Sequence, residues 1–253
     1  MFNLKGHVAV VTGGSSGIGL GFARGLAKSG AAVEIWARDR ERLLRAESVL
    51  RKIGCNEVRA VCCDVSQEAE VKRAVESCVA HFGRIDSFFA NAGTGITESL
   101  SQTDLATYRR INEINFESVL VGFREASQQM IRQGQGGKLI ATGSTAGLSG
   151  TSDLVAYSAT KGAILSAVRS MAVELGPHGI QVNAIVPGVI KTEMNSHMDG
   201  LYERVLRKIP STFVADTSHV EGLAVFLASR ESDYVTGAAI PIDGGLSIAA
   251  DWS

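Results

Sequence analysis

Cysteine and proline are scarce in this 253-residue chain, with four of each, and aromatic side chains make up only 6%. Cys55, Cys62, Cys63 and Cys78 show no paired spacing, no Cys-x-x-Cys and no histidine partner pattern. That excludes a disulfide scaffold and leaves zinc without a ligand set. The five histidines are scattered, so no metal is expected. No uninterrupted apolar run approaches the ~20 residues of a membrane span, and the first residues lack the charged start and apolar stretch of a secretory signal. These absences predict reduced thiols in a soluble, cytoplasmic protein. Charge of one sign is missing too: 25 Lys and Arg against 26 Asp and Glu leave a net charge of −1. Such a chain offers no general attraction to nucleic acid or to an anionic membrane surface.

What the chain does have is apolar residue, 45% of it, and 28 glycines gathered at turns. Its length suits one large domain over residues 1–253. Short apolar runs at residues 7–12, 32–37, 58–62, 86–90, 138–143, 181–186 and 238–242 read as strands. Helical patterns at 18–28, 40–53, 68–81, 104–131, 156–174 and 218–229 lie between them. Buried strands alternating with helices predict an α/β fold, a doubly wound parallel sheet of about seven strands with helices on both faces. Two segments depart from the rhythm. Residues 192–211 have a helical pattern mixing Met194, Met198, Leu201 and Tyr202 with charges, which suits either a mobile substrate lid or an ordinary surface hairpin. Residues 156–174 leave little polar face, and a helix apolar nearly all round packs on two sides. That predicts a homo-oligomer, a dimer or tetramer.

Two local patterns carry chemistry. Val8-Ala-Val-Val-Thr-Gly13-Gly-Ser15-Ser16-Gly17-Ile18-Gly19 is a strand, a glycine-rich turn and a helix start. Glycines let the backbone approach a ligand, and the helix N-terminus suits a pyrophosphate. Tyr157 and Lys161, four apart, share one helix face. An ammonium there favours the phenolate and would draw the tyrosine pKa down toward working pH, as general acid–base chemistry requires. Ser144 stands thirteen residues upstream of the tyrosine.

Taken together, Thr12-Gly13-x3-Gly17-Ile18-Gly19, Asn91-Ala92-Gly93, Tyr157-x3-Lys161, Pro187-Gly188 and Asp243-Gly244-Gly245 resemble the classical short-chain dehydrogenase/reductases over nearly the whole chain. The resemblance implies a single-domain Rossmann-type fold and a nicotinamide dinucleotide. Gly13, Ser15, Ser16, Gly17, Ile18 and Gly19 would cradle it, with Asp64 and Val65 at the adenine and Asn91 and Gly93 near the adenosine ribose. Pro187, Gly188, Val189, Ile190 and Thr192 would line the nicotinamide. Cofactor choice turns on the end of the second strand. There Ala37 is followed by Arg38, whose guanidinium can grip a 2′-phosphate that a carboxylate would repel. NADP(H) is therefore expected, with NAD(H) possible. Pairing of Arg38 with the adjacent Asp39 is the structural alternative.

The same resemblance implies four catalytic roles. Tyr157 would exchange a proton with the substrate oxygen. Lys161 would lower its pKa and hold the nicotinamide ribose. Ser144 would hydrogen-bond the carbonyl oxygen, with Thr145 the alternative. Asn115 would anchor a water leading from Lys161 to solvent, with Asn112 the alternative. The substrate would be a small carbonyl or alcohol. Thr94, Ile96, Leu148, Leu154, Met194 and Met198 suggest a largely apolar ketone and a reductase. Two rivals remain. A 3-oxoacyl-[acyl-carrier-protein] reductase shares every motif but would want a basic landing surface. A catalytically silent nucleotide-binding regulatory protein would have little use for Ser144, Tyr157 and Lys161 together.

Overall fold

Val-Ala-Val-Val-Thr over Val8–Thr12 is buried along its whole length, which requires cover on both faces of the sheet. The computed structural model describes residues 2–55, 57–196 and 200–249. Its strands are β1 (Val8–Thr12), β2 (Ala32–Ala37), β3 (Val58–Cys62), β4 (Ser87–Ala90), β5 (Gly137–Thr142), β6 (Ile180–Pro187) and β7 (Ala239–Ile242). They form one sheet in the order β3-β2-β1-β4-β5-β6-β7, with every neighbouring pair parallel. The helices are α1 (Gly17–Lys28), α2 (Arg40–Lys52), α3 (Glu68–Phe82), α4 (Leu105–Asn112), α5 (Ser118–Gln133), α6 (Val155–Leu175), α7 (Leu201–Leu206) and α8 (Glu221–Ala228).

Side chains alternate across each strand, so β1 feeds two cores. Val8 and Val10 join Phe88, Phe123, Met130 and Ile164 beneath α3, α5 and α6. Ala9 and Val11 join Phe22, Leu26, Leu50 and Leu227 beneath α1, α2 and α8. The chain winds outward through β1, β2 and β3, then returns to β4 on the other side of β1. Strand order reverses there, and the loops beyond the strand ends part to leave a crevice.

The expected elements are present, with strand ends displaced by about a residue. The segment expected as one helix over 104–131 is divided. α4 ends at Asn112, Glu113–Glu117 winds as a π-helical turn, and α5 resumes at Ser118. The wider turn buries Asn115, while Asn112 donates to Glu117 at 2.8 Å outside it. The helix expected over 218–229 starts later, because Asp216 accepts from the Ser218 N–H and hydroxyl and holds residues 216–218 in a turn. The segment 192–211 contains a 3-10 turn at Glu193–Asn195 and α7, and Met198 lies outside the described residues.

The pattern over 156–174 overstated the burial of α6. Ile164, Leu165, Val168, Ala172 and Leu175 are buried, whereas Ser166, Arg169, Ser170 and Glu174 are exposed. Small alanines widened the apparent apolar stripe. Val173 is a strongly exposed apolar side chain of this helix, at 81%. Among the described residues no helix is long and apolar enough to cross a membrane, and no group of three or more His, Cys, Asp or Glu could hold a metal ion.

Candidate active site

Three strand ends are tied together at the floor of the crevice. Thr12 closes β1, and its hydroxyl accepts from the Asn91 and Ala92 N–H groups, both at 3.0 Å. The Asn91 amide donates to the Thr12 carbonyl at 3.1 Å and accepts from the Thr142 hydroxyl at 3.2 Å. β1, β4 and β5 therefore end in register around one asparagine. Its side-chain amide thus bonds to both neighbouring strands while the residue still lines the cleft.

Over this floor the turn at residues 13–17 enters α1. Gly13 (φ +65°) and Gly17 (φ +54°) occupy the left-handed region that other residues rarely adopt. Ser16 caps α1 in extended conformation but makes no side-chain cap bond, and the first turn carries no acidic residue. Its leading N–H groups and positive dipole end are thus left for an anion. Gly19 lies behind the turn. A β-carbon there would run into the Gly13 carbonyl and the Asn91 amide. Glycine cradle, free helix N-terminus and absent carboxylate together fit the pyrophosphate of a dinucleotide.

The far side of the crevice is built by β6 and the loop after it. Gly188 sits against Asp243, where a β-carbon would be only 2.8 Å from that residue's own, and its N–H donates to Ile242 at 3.1 Å. This contact brings Pro187-Gly188 and Asp243-Gly244-Gly245 together in space. A cleft of about 560 Å³ is lined by Gly13, Ser15–Ile18, Asn91–Thr94, Thr142–Ser144, Tyr157, Lys161, Pro187, Gly188, Ile190 and Thr192.

Lys161 is 4% exposed, and its ammonium donates to the Thr142 carbonyl at 2.8 Å. Burial holds its pKa down at about 8. The nitrogen stands 5.7 Å from the Tyr157 ring centre. Tyr157 departs from expectation: burial pushes its phenol above the ordinary range, and a hydrogen bond with Ser144 pulls it only partly back. Loss of solvation outweighs the Ser144 hydrogen bond in this structure. Ser144 faces the tyrosine, while Thr145 begins the 3-10 turn Thr145–Gly147 that Ser144 caps through Ala146 N–H at 3.2 Å.

Asn115 is wholly buried. It accepts from Thr94 N–H at 2.8 Å and donates to the Thr94 carbonyl at 2.9 Å and the Thr160 hydroxyl at 3.2 Å. It braces the loop after β4 against α6 one residue from Lys161. Asn112 points away, toward Glu117.

Not every expected residue reaches the cleft. Gly19, Arg38, Asp64, Val65, Asn115 and Val189 are outside its lining. Arg38 lies 3.9 Å from Asp64, which itself accepts from Ser66, whereas Asp39 caps α2 through Arg42 N–H at 3.0 Å. Of the six side chains expected around the substrate, Thr94 and Met194 line the cleft, and Ile96, Leu148 and Leu154 do not. Sequence reasoning missed Thr142, Arg42, Glu193 and Asn195. A threonine ending β5 just before Gly143-Ser144 could have been noticed. Arg42 and Glu193 carried no signal, since they meet only in space.

The family model described as enoyl-(acyl carrier protein) reductase matches residues 13–247. The chain is 37% identical to L-rhamnose-1-dehydrogenase of Scheffersomyces stipitis, over 97% of each chain. It is 33% identical to an NADP-dependent (R)-specific alcohol dehydrogenase of Lentilactobacillus kefiri, over 96% of this chain and 97% of that one. A short-chain type dehydrogenase/reductase from Mycobacterium marinum superposes with a TM-score of 0.94 at 32% identity, over 98% of both chains. Relatives of this similarity match the chain end to end, and the glycine turn, the Ser144–Tyr157–Lys161 group and the sheet order belong together. The chain is therefore a member of the classical short-chain dehydrogenase/reductase family, an NAD(P)-dependent oxidoreductase acting on the alcohol/carbonyl pair.

Proposed function

We propose that the chain is an NADP(H)-dependent reductase of a compact, largely apolar ketone, working reversibly on the matching secondary alcohol. The observation that carries the cofactor choice is the end of β2, where Ala37 and Arg38 stand in place of a carboxylate. A fixed positive charge there favours a 2′-phosphate. Gly13, Ser15, Ser16, Gly17 and Ile18 would hold the pyrophosphate, Asn91 and Gly93 would border the adenosine ribose, and Pro187, Gly188, Ile190 and Thr192 would border the nicotinamide. Arg38, Asp64 and Val65 would meet the adenosine end.

The bound nicotinamide supplies or accepts the hydride. The chain's own residues handle the proton and the oxygen. Tyr157, kept protonated by burial, donates its phenolic proton to the substrate oxygen in the reductive direction and takes it back in the other. Ser144 hydrogen-bonds the same oxygen as negative charge gathers on it. Lys161, anchored on the Thr142 carbonyl, holds a positive charge beside the phenol. Asn115 positions the loop at Thr94 and the helix at Thr160, which sets the aim of Tyr157 and Lys161. Met194 and Ile190 supply the apolar contacts at the cleft.

A second substrate class draws support from the hydroxyl-rich lining at Thr94, Thr142 and Ser144 and from the similarity to a rhamnose dehydrogenase: a polyol or sugar. An acyl-carrier substrate draws less. Lys138 is buried against Asp233 at 2.6 Å, so it offers no landing charge, and Val173 is exposed where a basic residue would help. The test is nicotinamide absorbance over a panel of apolar ketones, sugars and acyl-carrier thioesters with both cofactors. Arg38→Asp should weaken NADPH binding by about tenfold or more and leave NADH binding nearly unchanged. Equal loss for both would assign Arg38 to structure alone, and turnover confined to sugars would replace the ketone.

A further inference from the structure

The cleft has two cationic side chains in its lining, and only Lys161 is accounted for above. The other is Arg42, on the first turn of α2. Its Nη1 lies 3.0 Å from Glu193 Oε2, and its Nε lies 3.6 Å from Asp39 Oδ2. Asp39 is itself pinned, because it caps α2 through the Arg42 N–H. The guanidinium is thereby held on one edge and free to pair with a second anion on another.

Glu193 is also held in place. It belongs to the turn after Thr192, where Asn195 accepts from Thr192 N–H at 3.1 Å and from the Tyr202 hydroxyl at 2.7 Å. Asn195 in turn donates to the Ile190 carbonyl at 2.9 Å. Thr192 stands close to the glycine turn: its Cγ2 would be 3.4 Å from a β-carbon at Gly17. The Arg42–Glu193 pair thus spans the mouth of the cleft, from α2 on one side to the segment after β6 on the other, beside the turn that suits a pyrophosphate. Both side chains are substantially exposed, at 48% and 75%. Exposed pairs of this kind are weak and exchange readily. A phosphate offers more charge and more acceptor oxygens than a carboxylate, and arginine matches it in a two-pronged contact.

We propose that Arg42 is a cofactor-binding residue that trades the Glu193 carboxylate for a phosphate group of the dinucleotide, so that nucleotide entry releases a latch between α2 and the segment that follows β6. The proposal rests on the dinucleotide reading above. Glu193 is the built-in competitor, and its carboxylate holds the position that phosphate takes.

Calorimetric binding of NADPH and NADH to the wild type, Glu193→Gln, Arg42→Gln and the double variant tests this. Removing the competitor should tighten NADPH binding by about three- to fivefold, and Arg42→Gln should weaken it by about tenfold. In the Arg42→Gln background, Glu193→Gln should change nothing. An effect confined to NADPH identifies the 2′-phosphate as the partner; an equal effect on both cofactors identifies the pyrophosphate. No tightening in Glu193→Gln, or tightening that persists without Arg42, overturns the exchange. A wild type that binds neither cofactor overturns both the exchange and the reading beneath it. A wild type that prefers NADH removes only the NADP(H) preference, and the exchange is then decided by the NADH titrations.

Discussion

At the scale of single residues, the proposed catalytic group is governed by desolvation. Burial raises the Tyr157 phenol and lowers the Lys161 amine, so both are pushed toward their neutral forms. The phenol is therefore a proton donor throughout the neutral range. Tyr157→Phe should reduce turnover by about 10²- to 10⁴-fold while leaving dinucleotide binding within a few-fold, as measured by steady-state rates beside calorimetry. Near-normal turnover would remove the tyrosine from the chemistry. Lys161 carries a stability signature with a definite sign. Its folded pKa of about 8 lies below its ordinary 10.5. Below pH 8 both states are protonated and the native state bears the full cost of burying the charge. Between the two values only the unfolded state keeps the proton, so this group makes stability rise with pH. From pH 7.5 to 9.5 the rise is of order 2 kcal/mol. Lys161→Met should abolish that increment in urea unfolding at the two pH values, and an unchanged pH dependence would place the amine in contact with solvent.

At the scale of elements, the glycines of α1 and of the turn before it divide by what they face. Gly13 and Gly17 turn toward the cleft, while Gly21 and Gly25 let α8 approach, with Thr217 and Glu221 carbonyls 2.5 and 2.8 Å from where β-carbons would lie. Arg24 and Lys28 then reach Glu221 at 3.0 and 2.7 Å and clamp the two helices. Gly19 has backbone on its crowded side and cannot yield. Gly19→Ala should cost about 1–3 kcal/mol by overpacking and weaken dinucleotide binding by displacing the turn. Gly222→Ala, which meets nothing within 4 Å, should instead stabilise by about 0.4–1 kcal/mol through the unfolded chain. Thermal unfolding of the pair checks both, and equal effects would contradict the packing. The π-helical turn at Glu113–Glu117 is the element that pattern reading could not see. Apolar spacing runs on through 104–131, and one extra residue in a turn leaves no compositional trace.

At the scale of the whole molecule, the crevice exists because the chain starts in the middle of its sheet and winds outward twice. Strand-by-strand apolar runs made the seven strands legible, and the order of the glycine, asparagine, tyrosine and lysine motifs made the family legible. Those are local patterns, and local backbone preference and burial are enough to write them. Arg42 and Glu193 are about 150 residues apart in the chain, and neither has a neighbour in sequence that hints at the other. The same is true of the Asn91 amide, which binds Thr12 and Thr142 from two other strands. By itself the sequence determined the fold class and the family, and it pointed to the glycine turn and to the residues proposed to handle the proton, because each follows from spacing within one element or one turn. Only the tertiary structure decided which hydroxyl faces Tyr157, that burial raises that phenol, and which arginine lines the cleft. Desolvation and through-space charge depend on what the folded chain brings near, and no spacing along the sequence records that.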